Sequence, residues 1–382
     1  LLLNKNAPRN TIDGRLMMTP TSEQELSEYV SQAKGPLVIK GGGTRGVGVD
    51  GDVLNTGGLT GIDLYEPGAL TVVAKAGTAL SAIKTTLAGE RQRLAFEPMD
   101  YRGLLGLKGE PTIGGIVAGN ISGPRRIQVG AARDFTLGVR FVDGQGTIVK
   151  NGGRVMKNVT GYDLVKLLSG SWGTLGVLSE VSLKVLPMPE AEATLCVHGL
   201  GVIDAVGAMA AALGSPYDVS GAAHLPNDDT GVTMIRVEGF TDSVSYRTAQ
   251  LRETLAKFGG EITVIENVDA AWATVRDVKN FHGKDGDVWR ISVKPSDGPA
   301  VLAAIDPLEV QFDWAGGLVW VRTEQGTDVR AKLSGISGHA TLVRGTGQPR
   351  FQPETAGVAA LSAGMRQQFD PRGILNAGLM TA

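Results

Sequence analysis

Apolar positions in this chain fall into short runs, separated by loops rich in glycine. Pro20 and Thr21 precede Ser22-Glu23-Gln24-Glu25, a capping box that predicts a helix start. Leu26, Tyr29, Val30 and Ala33 continue at helical spacing until Gly35-Pro36. Leu37-Val38-Ile39-Lys40 then predicts a short buried strand. Further on, Leu137, Val139 and Phe141 alternate, Asp143-Gly144-Gln145-Gly146 turns, and Ile148-Val149 returns, which predicts a hairpin. A helix from Leu164 to Leu168 and a strand from Leu178 to Val185 follow, and Pro187 and Pro189 mark a boundary. Beyond it, Ala208 to Leu213 and Val244 to Phe258 read as helices, and Val232 to Val237 and Leu318 to Val321 as strands. The second half is therefore expected to be α+β, a sheet with helices on one face.

At 382 residues the chain is long for one core and predicts more than one domain. Its 42% hydrophobic and 20% charged residues are those of a globular protein. A formal net charge of −2 argues against general affinity for nucleic acid, which needs clustered cations. Cys196 is the single cysteine, so this chain alone can hold neither a disulfide framework nor an iron–sulfur cluster, which suits a reducing cytosol. No run reaches the ~18 apolar residues of a membrane span, and Leu1-Leu2-Leu3-Asn4-Lys5 is too short for a signal-peptide core.

Glycine changes the picture. Its 54 residues are about twice the usual share of ~7%, with no collagen-like period to account for them. In the first half they form three clusters, each tied to an element. Gly41-Gly42-Gly43-Thr44-Arg45-Gly46 follows the strand at Leu37 and matches a dinucleotide fingerprint, with Asp63 twenty residues past Gly43. The fingerprint needs a helix next, and the glycines and aspartates of residues 46–61 forbid one. The loop alone fits a phosphate nest aided by Arg45 or a plain turn equally well. The second cluster, Thr112-Ile113-Gly114-Gly115-Ile116-Val117-Ala118-Gly119-Asn120, predicts a short capped helix with small residues along one side. Ser122-Gly123-Pro124-Arg125-Arg126 leads from it to Gly130, Arg133 and Asp134. The third joins Asn158-Val159-Thr160-Gly161-Tyr162-Asp163 to Gly170-Ser171-Trp172-Gly173-Thr174-Leu175-Gly176-Val177. Three such loops suit main chain laid against one long, flat, phosphate-bearing ligand.

These segments, with Ala131-Ala132-Arg133-Asp134 and the terminal Phe369-Asp370-Pro371-Arg372-Gly373-Ile374-Leu375-Asn376, resemble the vanillyl-alcohol oxidase (PCMH-type) FAD-binding family. Gly123-Pro124-Arg125-Arg126, the run from Arg154 to Asp163, Trp289-Arg290-Ile291-Ser292, Asp313-Trp314-Ala315-Gly316-Gly317 and Gly338-His339-Ala340-Thr341 are similar to the small flavin subunits of bacterial glycolate oxidase. The resemblance implies a two-subdomain FAD-binding domain over residues 1–189, an α+β cap over 190–345, and a segment, 346–382, that returns to the flavin domain. It implies that Gly41, Gly42, Gly43, Thr44, Arg45 and Gly46 hold the pyrophosphate. Thr112, Gly114, Gly115, Ala118 and Asn120 would line the flavin, with Gly130, Arg133 and Asp134 continuing that wall. Gly173, Thr174, Leu175, Gly176 and Val177 would approach the ribityl or adenosine part, and Asn376 would return near the ring. Each glycine taken singly also fits a packing role. Thr44-Arg45 stands where covalently flavinylated members carry His, so the FAD is expected to be non-covalent. His198, His224, His282 and His339 form no local ligand pair, and no metal is expected.

Oxidising glycolate needs a cation for its carboxylate and a base for its hydroxyl proton. Arg290 and Arg322 are candidates for the first and His339 for the second. An Arg at a strand edge is more often a solvated charge, and a lone His in a glycine-rich turn more often structural. Trp289 and Trp314 read as core or interface. The resemblance also implies partners: a larger homologous flavin subunit and an iron–sulfur subunit, with any membrane contact made through them. Two other readings are a non-catalytic electron-transfer or assembly subunit, and a stand-alone oxidase of another small alcohol or hydroxy acid.

Overall fold

The computed structural model describes residues 10–12, 15–154, 161–226, 231–265 and 268–380. The expected helix forms over Glu23–Gln32, with Ser22 accepting from the Glu25 amide at 3.2 Å and Glu25 accepting from Thr21 in return. Its buried Leu26 and Val30 pack on a four-stranded sheet ordered Asn10–Ile12, Arg15–Met18, Asp52–Asn55, Leu37–Lys40, whose last three strands are parallel. The segment between Lys40 and Asp52 contains no helix, so the dinucleotide reading is excluded by the structure as well.

A second, antiparallel sheet runs Ile62–Glu66, Thr71–Lys75, Val177–Lys184, Thr136–Val142, Ile148–Gly152. The expected hairpin supplies its last two strands. Its central strand, Val177–Lys184, turns Leu178, Val181 and Leu183 into the large core, while Val177 packs with the small sheet. The two sheets are thus joined through one strand, and the glycine clusters lie where they meet.

The chain then builds an eight-stranded antiparallel sheet ordered Ile262–Ile265, Ala191–His198, Val232–Gly239, Val219–Leu225, Glu309–Asp313, Leu318–Thr323, Asp287–Val293, Gly338–Arg344. Helices Val202–Leu213 and Thr241–Ala256 bury their apolar sides on one face, with Leu195, Ile235, Trp289 and Ile291 beneath them. The expectation of helices on one face alone needs correction. Helix Val268–Asp277 covers Cys196, Ala223 and Met234 on the other, because Trp272 spans the sheet and anchors its Nε1 on Thr194 at 2.8 Å. That second face is turned toward the flavin half: Val288, Leu318, Trp320 and Val343 share a core with Phe96, Tyr101, Leu104 and Phe281.

After the cap the chain comes back. Leu37 donates to the Ile374 carbonyl at 2.7 Å, and Asn376 donates its amide to Leu37. The terminal segment therefore extends the edge of the small sheet, and Arg372 binds the carbonyls of Val30, Ala33 and Gly144.

Candidate flavin site and its arginine rim

The three glycine clusters meet in one open cleft of about 1020 Å³. Of the residues singled out above, Gly41, Gly42, Gly43, Thr44, Arg45, Gly46, Gly114, Gly115, Ala118, Gly173, Gly176 and Asn376 line it. The glycines are there because backbones touch. A Cβ on Gly42 would stand 1.7 Å from the Glu110 carbonyl oxygen, and one on Gly114 would meet Ala76 at 2.6 Å. Gly43 adopts φ +67°, open to glycine at little cost. Thr112 caps the helix Ile113–Ala118 and carries the close contact to Gly41 rather than facing the cleft.

Asn376 reaches the cleft from the far end of the chain. Its Oδ1 accepts from Ile39 N at 2.8 Å and its Nδ2 donates to the Trp172 carbonyl at 2.7 Å, so one side chain ties two cleft loops together. Asn120 spends its Oδ1 on the Arg133 amide. Gly130, Arg133 and Asp134 stand outside the cleft: Arg133 and Asp134 are exposed, and Asp134 accepts from the Ala131 amide. Thr174 and Leu175 are buried behind the wall, and Val177 is core. These support the wall from behind. The run from Val155 to Thr160 lies outside the described residues.

Residues not singled out from the sequence complete the lining, among them Ile39, Lys40, Thr56, Ala76, Leu107, Trp172 and Leu178. Trp172 was quoted within its loop, yet its ring makes a wall, meeting Phe351 edge-on at 5.4 Å. Arg350 donates to the carbonyls of Arg45 and Gly46 and lies over the same indole. No local signal marks Arg350, since its target is main chain.

Arg45 is the informative side chain. Burial lowers its guanidinium to about 10, with Tyr101 and Asp100 pulling the other way. Its Nε is buried without a hydrogen-bond partner. A buried, unpaired donor is costly, so the residue is built to meet an anion such as a phosphate. A glycine cradle and an orphaned arginine fit a dinucleotide flavin.

The eight-stranded sheet presents its own residues on the face that packs against the flavin half. Register sets them in rows: Gln311, Trp320, Arg290 and Thr341 lie side by side across four strands, and Asp313, Leu318, Ser292 and His339 form the next row. Arg290 therefore sits on the strand next to the outermost one, on the face toward the flavin half, with its charge disfavoured by burial and favoured by Tyr101 and Asp313. His339 is at the outermost strand and exposed, and burial of part of its ring, with Arg290 and Arg126, keeps it below its ordinary pKa. Arg322 is elsewhere. It binds Glu309 at 2.6 Å and the Asp285 carbonyl, so its guanidinium is already taken and cannot grip a substrate carboxylate as expected. Trp289 is wholly core, whereas Trp314 stands at the junction with its Nε1 on the Gly123 carbonyl at 3.1 Å.

A fold of glycine-lined sheets under an antiparallel cap, with a return of the chain to the first sheet, defines a flavoprotein, and residues 15–152 match the family described as FAD binding domain. Over nearly its full length the sequence is more specific. It is 37% identical over 367 residues to the glycolate oxidase subunit GlcE of Escherichia coli K12, covering 94% of this chain and 97% of that one. The chain belongs to the family of that subunit.

The chain is also similar to the glycolate oxidase subunit GlcD of Bacillus subtilis, at 31% over 194 residues, half of this chain and 38% of that protein. A D-lactate dehydrogenase of Archaeoglobus fulgidus matches over 189 residues at 29%, covering 47% of this chain and 40% of that protein. The fold is that of alkyldihydroxyacetonephosphate synthase, with a TM-score of 0.73 at 14% identity over 95% of this chain and 77% of that one. No helix among the described residues is long and apolar enough to cross a membrane.

Proposed function

We propose that this chain is the FAD-binding subunit of a glycolate oxidase and oxidises a short 2-hydroxy acid at its hydroxyl-bearing carbon. The observation that carries the reading is the backbone-built cleft with its orphaned Arg45, in a chain of this family. Residues 1–189 form the flavin domain, 190–345 the cap and 346–382 the returning segment. The loop Gly41–Gly46 with Arg45 holds the pyrophosphate; Gly114, Gly115, Ala118, Gly173 and Gly176 give the flat ring system a floor free of side chains; Asn376 fixes that floor. No His, Cys or Tyr is among the residues that line the cleft, which supports non-covalent binding.

When bound, the flavin supplies a two-electron acceptor. The chain's own residues supply the rest. Arg290 holds the carboxylate as a bidentate pair. His339, held below its ordinary pKa by burial and then by Arg290 and Arg126, takes the hydroxyl proton on an imidazole nitrogen. A chain with the single Cys196 cannot hold an iron–sulfur cluster, so electrons leave through a partner that does, beside a larger homologous flavin subunit. The site of action is cytoplasmic, with the inner membrane reached only through those partners.

A second reading, an electron-transfer or assembly subunit, is favoured by the exposure of His339 at the outer strand. Anaerobic glycolate added to the FAD-loaded chain separates the two. Bleaching of the flavin by glycolate alone establishes a dehydrogenase. Bleaching only after partner subunits are added establishes the second reading and removes the first.

A further inference from the structure

The motif Gly123-Pro124-Arg125-Arg126 has no place in the chemistry above, and its two arginines have opposite fates. Arg125 is buried and fully engaged, bonded to Glu238 and at 2.8 Å from Glu97. Arg126, one residue on, makes no side-chain hydrogen bond and no ion pair among the described residues, although it is half-buried. Arg290 is the same: half-buried and without a hydrogen bond or ion pair among the described residues. The two lie against one indole, Arg126 with its guanidinium carbon 4.6 Å and Arg290 5.1 Å from the ring centroid of Trp314. Trp314 in turn donates to the Gly123 carbonyl, which fixes the cap's indole on the segment that carries Arg126.

Two like charges, partly desolvated and held on one ring, repel, and burial and then Arg290 disfavour the charged form of Arg126. Stacking on an aromatic face offsets part of that cost, yet guanidinium donors lie in the ring plane and stay unused. Asp313 is the neighbouring carboxyl, but it forms no ion pair with either; its oxygen takes the Trp314 amide, and burial raises its pKa to about 7. An anion with two acceptor oxygens satisfies both forks. Neither arginine lines the glycine cleft, so the flavin phosphates have their own partners. The cleft is nonetheless adjacent, since Tyr101 is within electrostatic reach of Arg45 and Arg350 on the cleft side and of Arg290 on the cap side.

The geometry points to a two-domain anion clamp, in which Arg126 of the flavin half and Arg290 of the cap together hold the carboxylate of the 2-hydroxy acid against Trp314. This rests on the reading above and adds to it a specificity-determining residue on the flavin side. The substrate's carboxylate thereby ties the cap to the flavin domain, and an uncharged alcohol of the same size lacks the group that the clamp needs.

The test is calorimetric titration of oxalate, a carboxylate with no carbon–hydrogen bond to oxidise, into the FAD-loaded full chain and its variants. Arg126→Gln and Arg290→Gln should each weaken oxalate roughly 30-fold or more, the lower end for stranding one partner of a desolvated charge pair. Arg126→Lys should recover part of the loss, and FAD content should be unchanged. The KM for glycolate should rise with oxalate's dissociation constant in Arg126→Gln, with a smaller change in kcat. Unchanged oxalate affinity in Arg126→Gln, or no oxalate binding to the parent chain, overturns the clamp. A fall in FAD content at limiting FAD overturns it too, because the anion is then a flavin phosphate. Oxalate binding as expected with no reduction by glycolate leaves the clamp standing and rejects the catalytic reading instead.

Discussion

In the glycine cleft the surface offered to a ligand is mostly main chain, while where the cap meets the flavin half, beside their shared apolar core, a cluster of charged side chains makes the contact. The cleft is made by removing atoms: Gly42 and Gly114 let strands and loops approach until a single methyl would collide. The junction is made by adding charge. Arg93 and Arg125 of the flavin half meet Glu192 and Glu238 of the cap, and Arg236 reaches back to Glu97. A backbone surface is rigid and indifferent to pH. A junction of paired charges is strong only while every partner is present and correctly protonated.

That contrast can be broken at its charged side first. Arg125→Met should destabilise the chain by about 3–5 kcal/mol, because it removes the buried guanidinium that Glu97 and Glu238 share and leaves Arg236 and Arg93 alone to offset them. Thermal or denaturant unfolding measures it. The same junction gives stability a pH dependence. Glu192 and Glu238 lie directly opposite on neighbouring strands. Burial and the Glu238 carboxylate raise Glu192 to about 7, while Arg125 and Arg236 overcome burial and depress Glu238. A raised carboxyl favours the fold below its unfolded pKa and loses that contribution as pH rises through about 7; a depressed one favours the fold above its unfolded pKa and loses it in acid. The Glu192 contribution to stability should therefore fall as pH rises from about 4.5, its ordinary value, to about 7, and Glu192→Gln should flatten that slope. A slope unaltered in Glu192→Gln contradicts the shared proton.

On the backbone side, Gly42→Ala should cost on the order of 3 kcal/mol and abolish flavin retention, since the Glu110 carbonyl must move. Asn376→Ala should cost about 2 kcal/mol, leaving the Ile39 amide and the Trp172 carbonyl unpaired, and should loosen FAD without changing the pH profile. Smallest of all, Arg322→Gln should cost about 1 kcal/mol or less and leave reduction by glycolate intact, because Arg322 serves its pair with partly exposed Glu309 and the Asp285 carbonyl rather than the site. A large loss of activity in Arg322→Gln would restore it to the site.

The same contrast explains what could be read from the sequence. Glycine at Gly41 to Gly46 and at Gly114 and Gly115 is a local requirement of close approach, and its spacing is written along the chain. The capping box at Ser22, the hairpin around Asp143 and the return at Ile374 to Asn376 are likewise local or motif-bound. Arg290 and His339 were legible only as residue types. Their rows on the cap sheet depend on pairings with strands 30 or more residues away, and the same pairing sends Arg322 to Glu309 instead. Arg126 was legible only as part of a motif, and Arg350 gave no signal: one lies on the indole of Trp314, the other binds the carbonyls of Arg45 and Gly46, and both partners are distant in sequence. Helix Val268–Asp277 was unexpected on its face of the sheet because Trp272 and Thr194 meet only in three dimensions.

The account stands first on a non-covalent flavin in the glycine cleft. Its most direct test is the absorption spectrum of the purified full chain, followed by denaturation and filtration. The account predicts a flavin spectrum, with FAD passing entirely into the filtrate and Gly42→Ala purifying colourless. A parent chain that is colourless and cannot be reconstituted with FAD, or a flavin that stays with the denatured polypeptide, contradicts it.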